Sequence, residues 1–186
     1  MNKIKTGLKL SLFITAFSFI LMFPSVSLAK EESVSANEIV VLTNELRSDL
    51  NVGSLSVNPL LVIAAENKAK DMFDKGYWSH YSPEGVTPWY FIETTGYYYQ
   101  AAGENLAKGF SNSESVLKAW ISSSAHKENL VSNDFNEVGV SVVKGTLNGK
   151  ETTIVVQMFG KQKTYLSTLV DNVTKSIKVM VRNDPI

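Results

Sequence analysis

Residues 136–159 read Asn136-Glu137-Val138-Gly139-Val140-Ser141-Val142-Val143-Lys144-Gly145-Thr146-Leu147-Asn148-Gly149-Lys150-Glu151-Thr152-Thr153-Ile154-Val155-Val156-Gln157-Met158-Phe159. Val138, Val140 and Val142 alternate with Glu137, Gly139 and Ser141, the two-residue period that sends successive side chains to opposite faces of a strand. Asn148-Gly149 tolerates the positive φ that a two-residue hairpin turn requires. The run from Thr153 to Phe159 has the β-branched, apolar composition of a returning strand. The stretch predicts an antiparallel hairpin.

Upstream of it the period is helical. Ser35 followed by Glu38 has the spacing of a capping box, and Ile39, Leu42, Leu46 and Leu50 continue at helical intervals, which predicts a first helix running to about Asp49. Asn58-Pro59 is a strong helix start, because Asn accepts from first-turn amides and Pro lacks only a donor that would be idle there. Leu61, Ala65, Ala69 and Met72 then share one face, Glu66, Lys70 and Asp74 the other, and Gly76 supplies the exit.

Ser111 with Glu114 predicts a further capped helix, with Val116, Leu117 and Trp120 facing inward and an end near Ser123. Residues 77–100 are rich in aromatics and punctuated by Pro83, Gly85, Pro88 and Gly96, and are expected to be loop with one short helix near 87–94. Helices followed by strands, with no repeating strand–helix unit, give an α+β class. After Gly160, Leu166, Leu169, Val173, Ile177 and Met180 lie at helical spacing, an amphipathic helix that packs on the domain; the β-branched content of 170–181 makes an extra strand the rival.

The N-terminus bears on location. Lys3, Lys5 and Lys9 precede an uncharged stretch from Leu10 to Ala29, and Pro24, Ser27 and Ala29 offer a small-residue cleavage site, the pattern of a secretory signal. Residues 1–29 are read as that signal, 30–36 as a short polar lead, 37–160 as the domain and 161–186 as a C-terminal extension. An uncleaved anchor is the alternative, since the span approaches bilayer length; either way the globular part faces outward, and the cleaved form has no membrane attachment. The whole chain has 18 basic and 18 acidic residues, so loss of the three lysines leaves 15 against 18, a net −3. That weak field does not suggest nucleic acid as a partner. No cysteine is present, which excludes disulfides, thiol chemistry and lipid-modified cysteine.

Two histidines occur, His80 and His126, both beside loop residues, and between them lies Gly103-Glu104-Asn105-Leu106. Six short motifs in order carry a resemblance. They are Asn44-Glu45-Leu46-Arg47; Asn58-Pro59-Leu60-Leu61; Trp78-Ser79-His80 with Ser82-Pro83-Glu84-Gly85; Ala102-Gly103-Glu104-Asn105-Leu106-Ala107; Trp120 through Leu130; and Glu137-Val138-Gly139-Val140. From about residue 37 to 160 the chain resembles a bacterial member of the CAP superfamily, the SCP-like or pathogenesis-related-1-like extracellular domain.

The resemblance implies an α-β-α sandwich with a central antiparallel sheet and a cleft where His80, Glu104 and His126 converge. In many eukaryotic relatives a second glutamate stands three residues after the helix Trp. Here that position is Ser123, which removes a negative charge from the cleft. Two imidazoles and one carboxylate can hold a divalent cation such as zinc with open positions. Without metal, Glu104 can instead hydrogen-bond an imidazole and fix its tautomer, or the trio can simply tie the central loops together.

A serine hydrolase built from Ser79, Ser82 or Ser123 is permitted by composition, yet the chain has no G-x-S-x-G elbow. Trp78, Trp89, Trp120 and Tyr97–Tyr99 can line a groove for glycan or lipid, or supply core area. Arg47 is expected to anchor a loop carboxylate. The reading is a secreted, non-enzymatic binding or interaction module for an envelope, lipid or peptide ligand, with a divalent-metal-dependent hydrolase centred on His80, Glu104 and His126 as the alternative.

Overall fold

The computed structural model describes residues 33–164, 169–170, 173–174 and 176–178. The expected signal segment lies outside them. In chain order the elements are α1 (Ala36–Asp49), β1 (Ser56–Val57), α2 (Pro59–Asp74), α3 (Pro88–Glu93), β2 (Tyr99–Lys108), α4 (Ser113–Ser122), α5 (Ser124–Val131), β3 (Glu137–Leu147) and β4 (Lys150–Gln162). Four strands form one sheet in the order β1-β3-β4-β2.

The hairpin forms where the sequence places it. β3 and β4 pair antiparallel from Glu137↔Gly160 to Leu147↔Lys150, and Asn148 and Gly149 take φ of 51° and 78°, the left-handed values a two-residue turn demands. β2 adds antiparallel on the far side of β4. The sheet is mixed rather than purely antiparallel, because Ser56-Val57 pairs parallel with Glu137-Val138. Two residues carry no readable period, so β1 is invisible in the sequence.

Alternation along the strands divides the core into two layers. Ile154, Val156 and Met158 of β4 pack with Leu61, Ala65, Ala69 and Met72 of α2 and with Phe91 and Ile92 of α3. Val155 and Phe159 face the other way, with Val138 and Val140 of β3, and meet Ile39 of α1, Val116, Leu117 and Trp120 of α4 and Leu130 of α5. This is the expected sandwich. The alternating glycine of β3 has its own reason: a Cβ on Gly139 would lie 2.1 Å from the Leu61 carbonyl carbon, so α2 rests directly on the strand backbone.

The caps differ in part from expectation. Asn58 does cap α2, accepting from the Leu60 amide at 2.9 Å. The cap of α4 is Asn112 rather than Ser111, and accepts from the Ser115 amide at 2.8 Å. Ser35 makes no side-chain cap on α1; its amide donates to Ser113 Oγ instead, joining the starts of α1 and α4. Arg47 anchors carbonyls, not a carboxylate: it donates to Gly53, Leu130, Ser132 and Phe135 oxygens at 2.6–3.2 Å. The cation thereby closes the C-terminal end of α5 and holds the loop that feeds β3. In the tail, 169–170, 173–174 and 176–178 are helical, but Leu169, Val173 and Ile177 are exposed, so that apolar row is not packed on the domain; Leu166 and Met180 lie outside the described residues.

Candidate functional site

β2 is the sheet edge beside α3 and α5, and its pairing with β4 decides what it presents. Odd-numbered residues bond to β4, so the main-chain groups of Ala102, Glu104 and Leu106 point away from the sheet. Two of those carbonyls are taken by side chains: Asn129 Nδ2 donates to Glu104 O at 3.2 Å and Trp120 Nε1 to Leu106 O at 2.9 Å. Gly103 is a glycine because a Cβ there would come within 2.8 Å of the Phe135 ring. Above this edge opens a cavity of about 420 Å³, with Ala102, Gly103 and Glu104 as its floor, His80, Tyr81 and Trp89 on one wall and His126 and Asn129 on the other.

The structure therefore brings His80, Glu104 and His126 to one cavity. Ser123, the fourth expected cleft residue, sits at the junction of α4 and α5 and is not among the lining residues. Its backbone is extended and starts a new helix, which carries the next turns, including His126, toward the cleft. Ser79 and Ser82 are occupied in turns, where Ser79 Oγ accepts from the Tyr81 amide and Ser82 Oγ donates to Glu84. No serine among the described residues bonds an imidazole, so the nucleophile–base pair that a serine hydrolase needs is not formed.

Glu104 Oε1 lies 2.5 Å from His80 Nδ1. The carboxyl side chain is 1% exposed and the imidazole 47%, so the acid stands behind the ring and the ring reaches solvent. An ionised carboxylate only accepts, so in that state of Glu104 the hydrogen of this bond sits on Nδ1. The second oxygen, Oε2, is buried with no hydrogen-bond partner. Burial pushes the Glu104 pKa up, against the hydrogen bond from His80 and the nearby charge of Lys68. Burial, with His80 close by, pushes His126 down.

The donor set does not fit the divalent cation that the resemblance implies. Among the described residues no three His, Asp or Glu side chains are placed to hold one metal ion. Glu104 Oε1 is engaged by His80 Nδ1 rather than standing between the two imidazoles as a shared ligand.

Two supports escaped the sequence reading. Lys68 on α2 is fully buried and uses all three donors, on Tyr77 Oη (3.0 Å), Ser79 O (3.1 Å) and His80 O (2.8 Å); burial lowers its pKa, opposed by Glu104 and Asp71. The signal was present: Lys68 falls at helical spacing from Leu61, Ala65 and Met72, on the apolar face. On the other side Asn105 Nδ2 donates to His126 O at 3.1 Å. Asn129 donates to Asn105 Oδ1, and Gln157 donates to Thr43 Oγ1, so buried amides run from the cavity to α1.

The sequence model of the cysteine-rich secretory protein (CAP) family matches residues 40–159. The Bacillus subtilis (strain 168) protein YkwD is 39% identical over 114 residues, 60% of this chain and 44% of that protein. Among solved structures, an extracellular SCP-domain protein of Bacillus anthracis str. Ames has a TM-score of 0.60 at 30% identity, covering 68% of this chain and 40% of that one. An outer surface protein of Borrelia burgdorferi has a TM-score of 0.61 at 28% identity, covering 72% of this chain and 100% of that one. The chain thus spans less than half of YkwD and of the Bacillus anthracis protein.

Proposed function

The chain belongs to the CAP family, and from that premise we propose that it is exported and acts outside the cytoplasm as a non-enzymatic binding module, its ligand held in the His80–Glu104–His126 cavity. Residues 1–29 are the export signal, and cleavage after Ala29 releases the domain. Support for location comes from the leader pattern and from relatives described as extracellular or outer surface proteins. No helix among the described residues is long and apolar enough to cross a membrane.

The observation that carries the binding role is the buried, partnerless Glu104 Oε2 beside an open cavity, with the His80 ring bonded to the same carboxyl group. A buried carboxylate oxygen without a partner is costly and waits for a donor. Rigid ring orientation with nothing poised as nucleophile suits recognition better than bond cleavage. The partner is an envelope component.

The experiment follows the two imidazole Cε1–H resonances, assignable because the chain has two histidines, while fractionated envelope extract is added. The expected result is that both move with one fraction and that Glu104→Gln abolishes the movement. Resonances that stay fixed with every fraction would contradict the reading. Intact-mass measurement of released protein tests the leader separately: a first residue of Lys30 is expected, and an intact Met1 would overturn it.

A further inference from the structure

We propose that the ligand of the cavity is a pyranose glycan, laid along the β2 edge with a sugar face against Tyr81 and Trp89 and its hydroxyl or amide hydrogens on Glu104 Oε2 and the Ala102 main chain. The inference rests on the reading of the cavity as a ligand site and names what fills it.

The walls differ in chemistry. Tyr81, 57% exposed, and Trp89 bring aromatic surface to the lining, while His126 and the Asn129 side-chain oxygen bring polar groups, the Asn129 amide hydrogens being spent on Glu104 O and Asn105 Oδ1. Aromatic surface together with directional hydrogen-bonding groups matches a ring that is apolar on its face and polar at its rim. The 77–99 segment also exposes Trp78, Tyr90 and Tyr98.

The same floor argues against the two other envelope ligand classes. An acyl chain carries no hydrogen-bond donor and leaves the existing cost of the buried Glu104 Oε2 unrelieved. An extended peptide adding to β2 needs a run of free main-chain groups. That run is interrupted, because the Glu104 and Leu106 carbonyls already accept from Asn129 and Trp120. Of Ala102, Glu104 and Leu106, the first keeps both outward groups, enough for one pair of hydrogen bonds to a sugar. Nor does the pocket demand a cation, since the Lys68 ammonium and the His80 ring already face Glu104.

The test is calorimetric and NMR titration of the purified chain with two β-1,4 glycans, N-acetylglucosamine tetramer and cellotetraose. Saturable binding of at least one is expected, with both imidazole resonances shifting; preference for the acetylated tetramer would assign an amide hydrogen to Glu104 Oε2, and equal binding a hydroxyl. Tyr81→Ala, a change at an exposed ring that spares the core, is expected to weaken binding about tenfold. No saturation by either glycan up to about 10 mM, or binding changed less than about twofold by Tyr81→Ala, would overturn the proposal. The two readings fail differently: an envelope fraction that moves the imidazoles while both glycans leave them fixed sinks the glycan alone, and no movement with any of them sinks both.

Discussion

The ammonium of Lys68 lies 2.8 Å from the carbonyl oxygen of His80, so the more exposed histidine of the cavity is held through its backbone by a charge buried in the core. Asn105 does the same for His126 from the opposite layer. Each histidine's backbone is thus held by a side chain that does not line the cavity. Cavity geometry is a property of the two core layers rather than of the loops.

Lys68→Met is expected to cost about 2–4 kcal/mol, since the Tyr77 hydroxyl and two part-buried carbonyls lose their donor and Glu104 loses a nearby positive charge. Urea denaturation followed by tryptophan fluorescence measures it. A loss below about 0.5 kcal/mol, the level of a surface change, would mean the ammonium does not hold this position.

Asn105→Ala removes the donor to His126 O and the acceptor of Asn129 from a position that does not itself line the cavity. Stability should fall by about 1–3 kcal/mol, and the His126 resonance should shift more than that of His80. Equal shifts at both rings would place Asn105 outside the support of α5.

Gly139→Ala should destabilise by about 3 kcal/mol or more, because the new methyl would meet the Leu61 main chain at 2.1 Å and a helix backbone yields far less than a side chain. Gly53→Ala, where a Cβ meets nothing within 4 Å, is the control. Comparable melting temperatures for the two variants would show that α2 is not seated on β3.

For His126 the folded pKa lies below its ordinary 6.5, from burial and the neighbouring His80. The unfolded chain therefore binds the proton more readily, and the neutral ring's contribution to stability is present above pH 6.5 and is lost as pH falls toward the folded value. Titration by NMR should give a midpoint below 6.5, and His126→Gln should flatten the stability profile across that window. A midpoint above 6.5 would contradict the burial of the ring.

Much of this was legible in the sequence where a period or a cap forced a single answer. The Val138–Val142 alternation with Asn148-Gly149 and the Asn58-Pro59 start needed no tertiary information. β1 was not legible, because two residues pair only where β3 happens to pass. α5 was hidden because Ser123 looks like a helix end and is also the start of the next helix. Asn112 displaced Ser111 as cap because both types cap equally well and packing chooses between them. Of the candidate site, His80, Glu104 and His126 came from the resemblance and do meet in one cavity. Ser123 does not join them, since its extended backbone serves the kink between α4 and α5. Lys68 was readable as a lysine on an apolar face, whereas Asn105 and Asn129 required knowing which edge of β2 is free.

The most direct test of the central claim is the protonation pattern of the His80 ring, read from long-range ¹H–¹⁵N couplings at neutral pH. With Glu104 Oε1 against Nδ1, the hydrogen should reside on Nδ1, leaving Nε2 bare, and Glu104→Gln should shift that balance. A hydrogen on Nε2 that is indifferent to Glu104→Gln would mean that acid and ring do not meet, and the cavity would lose its fixed imidazole.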